Sequence, residues 1–133
     1  MQVVSASWGY AAPGPFPWGA EPLTVLLVAT NGNNTTGNGS VGAPFRTIAR
    51  AAQSAQPGTE IRLLPGVHGG DTFLDLLRGT TNLPIWIRGE SATNRPVISG
   101  GTEGIHLSRA RYVMLQNLEI ANASGNGINC DDG

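Results

Sequence analysis

Asp131 and Asp132 stand side by side directly after a strand-like run, Gly127-Ile128-Asn129-Cys130. Adjacent carboxylates supply oxygens of the kind that bind Ca2+, a cation that takes carboxylate and carbonyl ligands at roughly 2.3–2.6 Å. A polar turn explains the doublet equally well. Glu103, His106 and Asn129 form a second group, an acid, an imidazole and an amide, able to line a polar strip that faces a ligand. An ordinary solvent-facing row of side chains is the plain alternative. Arg62, Arg88, Arg109 and Arg111 fall on or beside strand-like segments, either as clamps for an acidic ligand or as a solvated outer face. His68, next to Gly69-Gly70, reads as a turn residue. All eight basic residues are arginine, which removes Schiff-base chemistry and any lysine general base from the 133 residues. The single cysteine, Cys130, excludes an intrachain disulfide framework and a multi-cysteine metal site.

The elements that must position these groups are short. Nineteen glycines and nine prolines, with only 13% charged residues, rule out a coiled coil or helical bundle. The net charge of −1 gives no electrostatic footprint for nucleic acid, and no apolar run approaches the ~20 residues of a membrane span. Residues 1–22 read as an extended segment: Pro13, Pro15, Pro17 and Pro22 favour a polyproline-like path, with Trp8, Tyr10, Phe16 and Trp18 among them. These rings are expected to cover an apolar flank of the domain. The segment lacks the basic start and long apolar stretch of a signal peptide. Leu23 to Ala29 reads as a strand, and Asn31 to Gly42 as a polar loop. Residues 44–55 form the only good helix, with Phe45, Ile48, Ala49 and Ala52 on one face, Pro44 in the first turn and Pro57-Gly58 beyond the end.

Short strands separated by Gly-rich turns follow. Apolar residues alternate at Ile61/Leu63, Ile85/Ile87, Ile105/Leu107, Val113/Leu115, Leu118/Ile120 and Ile128/Cys130. Gly104-Ile105-His106-Leu107 recurs as Gly127-Ile128-Asn129-Cys130 after 23 residues, and Ile61-Arg62-Leu63 as Ile85-Trp86-Ile87 after 24. Periods of this length indicate a solenoid. The inward positions are odd up to Leu115 and even from Leu118, so the chain bends at Gln116-Asn117, where Asn suits the left-handed conformation. Trp86, out of phase with Ile85 and Ile87, points outward, over a sugar ring or under the aromatic N-terminal segment. The expected fold is all-β: a right-handed parallel β-helix of about three coils with an N-terminal capping α-helix. His106 and Asn129 are then equivalent positions of successive coils, about 4.8 Å apart.

The stretch from Leu23 to Gly133 resembles the start of a β-helix protein of the pectate-lyase-like superfamily. The most specific part is Ala43-Pro44-Phe45-Arg46-Thr47-Ile48 with its helix, followed by Pro57-Gly58-Thr59-Glu60-Ile61-Arg62-Leu63-Leu64-Pro65-Gly66-Val67. Arg111 to Ile120 is similar to a later coil passing round its bend. The resemblance implies an N-terminal cap and first coils over residues 23–133 of a longer, secreted or cell-surface carbohydrate-active protein. A polysaccharide lyase acting on acidic glycans is the leading expectation, with this segment inactive by itself. The alternative is a non-catalytic β-helix scaffold for adhesion or assembly, because fold does not settle function. The resemblance also implies Ca2+ in the full-length protein, with Asp131 and Asp132 contributing to it, and a polysaccharide contact through Glu103, His106 and Asn129. The arginine-only basic set points to a bacterial source. Asn33, Asn34, Asn38 and Asn122 match the N-glycosylation acceptor pattern, which has meaning only in a eukaryotic secretory route.

The chain stops straight after a strand, which suggests a fragment. Ile128 and Cys130 would then face an open mouth beside an unpaired rung. Such an edge is a template for another chain, and two-fold stacking predicts a homodimer through the last coil.

Overall fold

The computed structural model describes residues 21–133, so the expectations for the aromatic, proline-rich start of the chain lie almost wholly outside the described residues. Ten strands and one short helix follow in order. They are β1 (Thr24–Val28), α1 (Ile48–Gln53), β2 (Thr59–Leu63), β3 (Val67–Gly69), β4 (Thr72–Asp75), β5 (Ile85–Gly89), β6 (Val97–Ser99), β7 (Ile105–Ser108), β8 (Val113–Gln116), β9 (Glu119–Ala121) and β10 (Ile128–Asp131). Every strand pairing is parallel. The strands fall into three sheets, ordered β1-β2-β5-β8, β3-β6-β9 and β4-β7-β10. The chain visits each sheet once per circuit, giving three coils, β2-β3-β4, β5-β6-β7 and β8-β9-β10. This is a parallel β-helix.

Sequence periodicity explains the stack. The inward residues sit above one another as rungs: Leu26, Ile61, Ile87 and Leu115 in the first sheet, and Leu74, Leu107 and Cys130 in the third. The 23-residue recurrence is real, since Ile105 pairs with Ile128. The 24-residue one is not a register: Ile61 pairs with Ile87, a step of 26, and Glu60 lies beside Trp86. The Ile-x-Leu and Ile-x-Ile patterns look alike, and a slip of two residues preserves the inward phase.

Corners are made where the backbone turns left-handed. Asn117, between β8 and β9, has φ 54°, and this is the bend that the phase slip required. Asp71, Leu76, Arg109, Tyr112 and Asn122 occupy the same region at other corners. Gly104 has a different reason. A Cβ there would lie 2.5 Å from the Gly127 carbonyl oxygen and from the Ile120 side chain, so close stacking demands glycine at Gly104.

The helix is shorter than expected, and it starts later. Pro44 and Phe45 lie outside the helix, Arg46 sits at a bend, and Phe45 forms an isolated parallel bridge with Val28. Thr47 is the N-cap, and its hydroxyl accepts from the Arg50 N–H. A side chain that caps a helix this well ends the helical path behind it, which is why Pro44 is not in the first turn. Phe45, Ile48 and Ala51 all enter the core cluster, and α1 packs on β1, β2 and β4. His68 also differs from its turn reading. It lies within β3, pairs with Ile98, is buried, and places its Nε2 3.0 Å from the Leu64 carbonyl oxygen. Among the described residues no helix is long and apolar enough to cross a membrane.

Candidate functional site

The outer face of the β4-β7-β10 sheet gathers most of the residues that could do chemistry. Alternation along each strand sends Leu74, Leu107 and Cys130 inward and their neighbours outward. Register then sets Phe73, His106 and Asn129 in one row, and Asp75, Ser108 and Asp131 in the next. Glu103 joins from the loop that precedes β7. Its Oε2 lies 2.7 Å from His106 Nδ1, and its Oε1 accepts from Asn129 Nδ2 at 3.0 Å. His106 Nε2 lies 2.7 Å from Asp131 Oδ2, and Asp131 Oδ1 accepts from the Gly133 N–H.

This arrangement decides the protonation of the imidazole. Both ring nitrogens face carboxylate oxygens, which only accept, so both must donate, and only the imidazolium has two N–H groups. The hydrogen bond to Asp131 is the largest influence on the His106 pKa, and with the charge of Glu103 it outweighs the opposing loss of hydration and raises the pKa above its ordinary value. The same hydrogen bond lowers the pKa of Asp131. His106 is therefore held between two carboxylates that favour its charged form. It cannot serve as a free base while the network is intact.

Two further members were not foreseen in the sequence. Phe73 is 56% exposed and meets the His106 ring edge-on, with centroids 4.9 Å apart and planes at 82°. An exposed aromatic ring beside polar donors and acceptors offers an apolar platform with a polar border. Asp75 is gripped by Arg109 through both carboxylate oxygens, and the Arg109 hydrogen bonds hold its pKa below the usual range. Asp75 and Arg109 are 34 positions apart, and only the β4–β7 register brings them together. The sequence-level signal was the alternation of Phe73 and Asp75 about Leu74, which sends both to the face opposite the core.

The sequence candidates are thus divided. Glu103, His106, Asn129 and Asp131 share one network. Asp132 does not join it and lines a neighbouring cleft of about 330 Å³ with Leu107, Tyr112 and Cys130. Among the described residues no group of three or more His, Cys, Asp or Glu is arranged to hold a metal ion. Asp131 spends its oxygens on His106 and Gly133, whereas Ca2+ takes 6–8 oxygen ligands. These residues alone do not fit a Ca2+ site. Ile128 is 47% exposed and Cys130 is exposed, both in the last rung. Arg62 and Arg88 belong to another face. They bracket buried Glu60 on the outside of the four-stranded sheet, with Arg62 Nη2 and Arg88 Nε each 2.7 Å from a carboxylate oxygen. Burial raises the Glu60 pKa, but the two arginines outweigh that effect and hold it low.

No protein-family model matches the chain. No curated protein matches it either. Solved structures do. Pectate lyase Pel9A superposes with a TM-score of 0.63 at 23% identity, over 75% of this chain and 28% of that one. The fold is that of the pectate lyase. A GH136 lacto-N-biosidase from Eubacterium ramulus superposes with a TM-score of 0.61 at 22% identity, over 74% of this chain and 20% of that one. Its native form gives 0.60 at 22%, over 78% and 21%. The chain spans between a fifth and about a quarter of the length of these β-helix proteins, both of them carbohydrate-active by name.

Proposed function

We propose that residues 23–133 are the first coils of a longer carbohydrate-active β-helix protein, secreted or at the cell surface of a bacterium, and that the outer face of β4-β7-β10 contacts its polysaccharide. The observation that carries this reading is the row Phe73, His106 and Asn129, bordered by Glu103 and Asp131. An exposed ring stacks on the apolar face of a sugar, and fixed carboxylates and amides bind its hydroxyls. Repetition of the row at the strand spacing suits a linear polymer. The leading activity for the longer protein is β-elimination on an acidic glycan, as the resemblance to pectate lyase implies. Downstream coils would supply the base, because the only imidazole on this face has both nitrogens engaged and the chain has no lysine.

A second reading, a non-catalytic glycan-binding or assembly scaffold, is favoured by the same pairing: the cations on this face are each matched to a carboxylate. The test compares the longer protein with the 133-residue chain on acidic polysaccharides. The lyase reading expects unsaturated products from the longer form and none from this chain. Binding without cleavage by the longer form supports the scaffold, and neither binding nor cleavage defeats both.

A further inference from the structure

The four-stranded sheet has an outer face that should be wet and is not. Parallel register places Val25, Glu60, Trp86 and Met114 in one outward row, and Leu27, Arg62, Arg88 and Gln116 in the next. Trp86 is 0% exposed, Met114 5% and Leu27 8%. None of the three belongs to the core cluster, which holds their inward neighbours Ile61, Ile85 and Ile87. Arg88 lies over the Trp86 ring, 5.3 Å from its centroid, and covers part of it. The buried Trp86 Nε1–H has no acceptor among the described residues. Among the described residues β1, β2, β5 and β8 meet as sheet neighbours, α1 packs on β1 and β2 with Ile48 and Ala51 in the core cluster, and Gly39 and Phe45 hydrogen-bond the Leu27 backbone at the edge of β1. A large ring, two apolar side chains and an unmatched donor therefore lie together on a shielded outer face.

We propose that residues 1–20 of this chain dock across the outer face of the four-stranded sheet, with Trp86 as the anchor. Three features of the sequence fit. The segment contains no Asp, Glu, Lys, Arg or His, so laying it over an apolar row desolvates no charge. Trp8, Tyr10, Phe16 and Trp18 supply rings for Trp86, Met114 and Leu27. Pro13, Pro15 and Pro17 favour a polyproline path, whose carbonyls make no internal hydrogen bonds and are free to accept from an indole N–H. Geometry permits it as well. The segment leads into β1, the edge strand of this same sheet, and Trp86 sits two strands away, about 10 Å. Twenty residues reach up to about 66 Å when extended. The strap would leave the β4-β7-β10 face open.

The chain has three tryptophans, so Trp8→Phe/Trp18→Phe makes Trp86 the sole reporter while keeping the rings. Its emission is expected to be blue-shifted and nearly immune to acrylamide. Replacing Trp8, Tyr10, Phe16 and Trp18 all with Ser should shift the emission to the red and raise quenching several-fold. Equal quenching in the two chains overturns the proposal, as does protection that disappears on dilution, which would assign the cover to a second copy. Should the Ser variant fail to fold, a nitroxide on Ala12→Cys in a Cys130→Ser chain gives a separate reading. It should broaden amide signals of β5 and β8 and spare those of β7 and β10. Broadening that ignores the four-stranded sheet refutes the strap.

Discussion

Ile48→Ala should test whether α1 seals the first coil. Ile48 is 3% exposed and packs in the same cluster as Phe45 and Ala51 of the entry segment and Ile61 and Leu74 of the first coil. The substitution removes three buried carbons, worth about 2.4 kcal/mol at ~0.8 kcal/mol each. The cavity adds to this, because the parallel strands around it are tied by their ladders and collapse poorly, so a total of about 3–4 kcal/mol is expected. For a domain of this size, each kcal/mol lowers Tm by roughly 3–6 °C, which gives a loss of about 10–20 °C. Ile48→Asp should be worse, since a carboxylate there would be buried without a partner. The assay is thermal unfolding followed by far-UV circular dichroism, with Val41→Ala, at an 88% exposed loop position, as the control. A Tm for Ile48→Ala no lower than that of the control would mean that the helix is an appendage rather than a seal.

Three further outcomes follow from the same geometry. His106 is raised, so its contribution to stability is complete below its ordinary pKa of about 6.5 and is lost as pH rises through the higher folded value; Asp131 is lowered, so its contribution is complete above about 3.8 and is lost as pH falls through the lower folded value. His106→Gln should abolish the alkaline limb seen in Tm against pH, and an unchanged limb would refute the imidazolium assignment. Asn117→Val forces a β-branched residue to φ 54° and should cost about 1–2 kcal/mol in urea unfolding, whereas Asn117→Gly should be nearly neutral; equal costs would contradict the left-handed corner. The proposed homodimer through Ile128 and Cys130 should appear as twice the monomer mass in sedimentation at micromolar concentration, with Ile128→Asp shifting it to monomer, and a wild-type monomer would dismiss it.

Some of this structure could be read directly from the residues. The phase slip between Leu115 and Leu118 located the Asn117 corner, because an apolar residue on the wrong parity must turn the chain or meet water. The repeated Gly-Ile dipeptide located a true register, because Gly104 has no room for a Cβ. His106 and Asn129 share one register, and Glu103 reaches both from the loop before β7. What stayed hidden depended on loops of unequal length. The step from β2 to β5 is 26 residues and that from β4 to β7 is 33, so no single period revealed Glu60 beside Arg88 or Asp75 beside Arg109. His68 was misread because its neighbours are glycines, although its alternation with exposed Val67 follows a strand. The burial of Trp86 depends on what lies over the sheet, which alternation within a strand does not encode.

The most direct test of the central claim is a titration of the isotopically labelled chain with oligosaccharides of an acidic polymer and of a neutral one, followed by amide and imidazole chemical shifts. The account predicts changes concentrated at Phe73, His106, Asn129 and their neighbours on β4, β7 and β10, and weakened by Phe73→Ala. Changes confined to the other two sheets, or binding indifferent to Phe73 and His106, would contradict it.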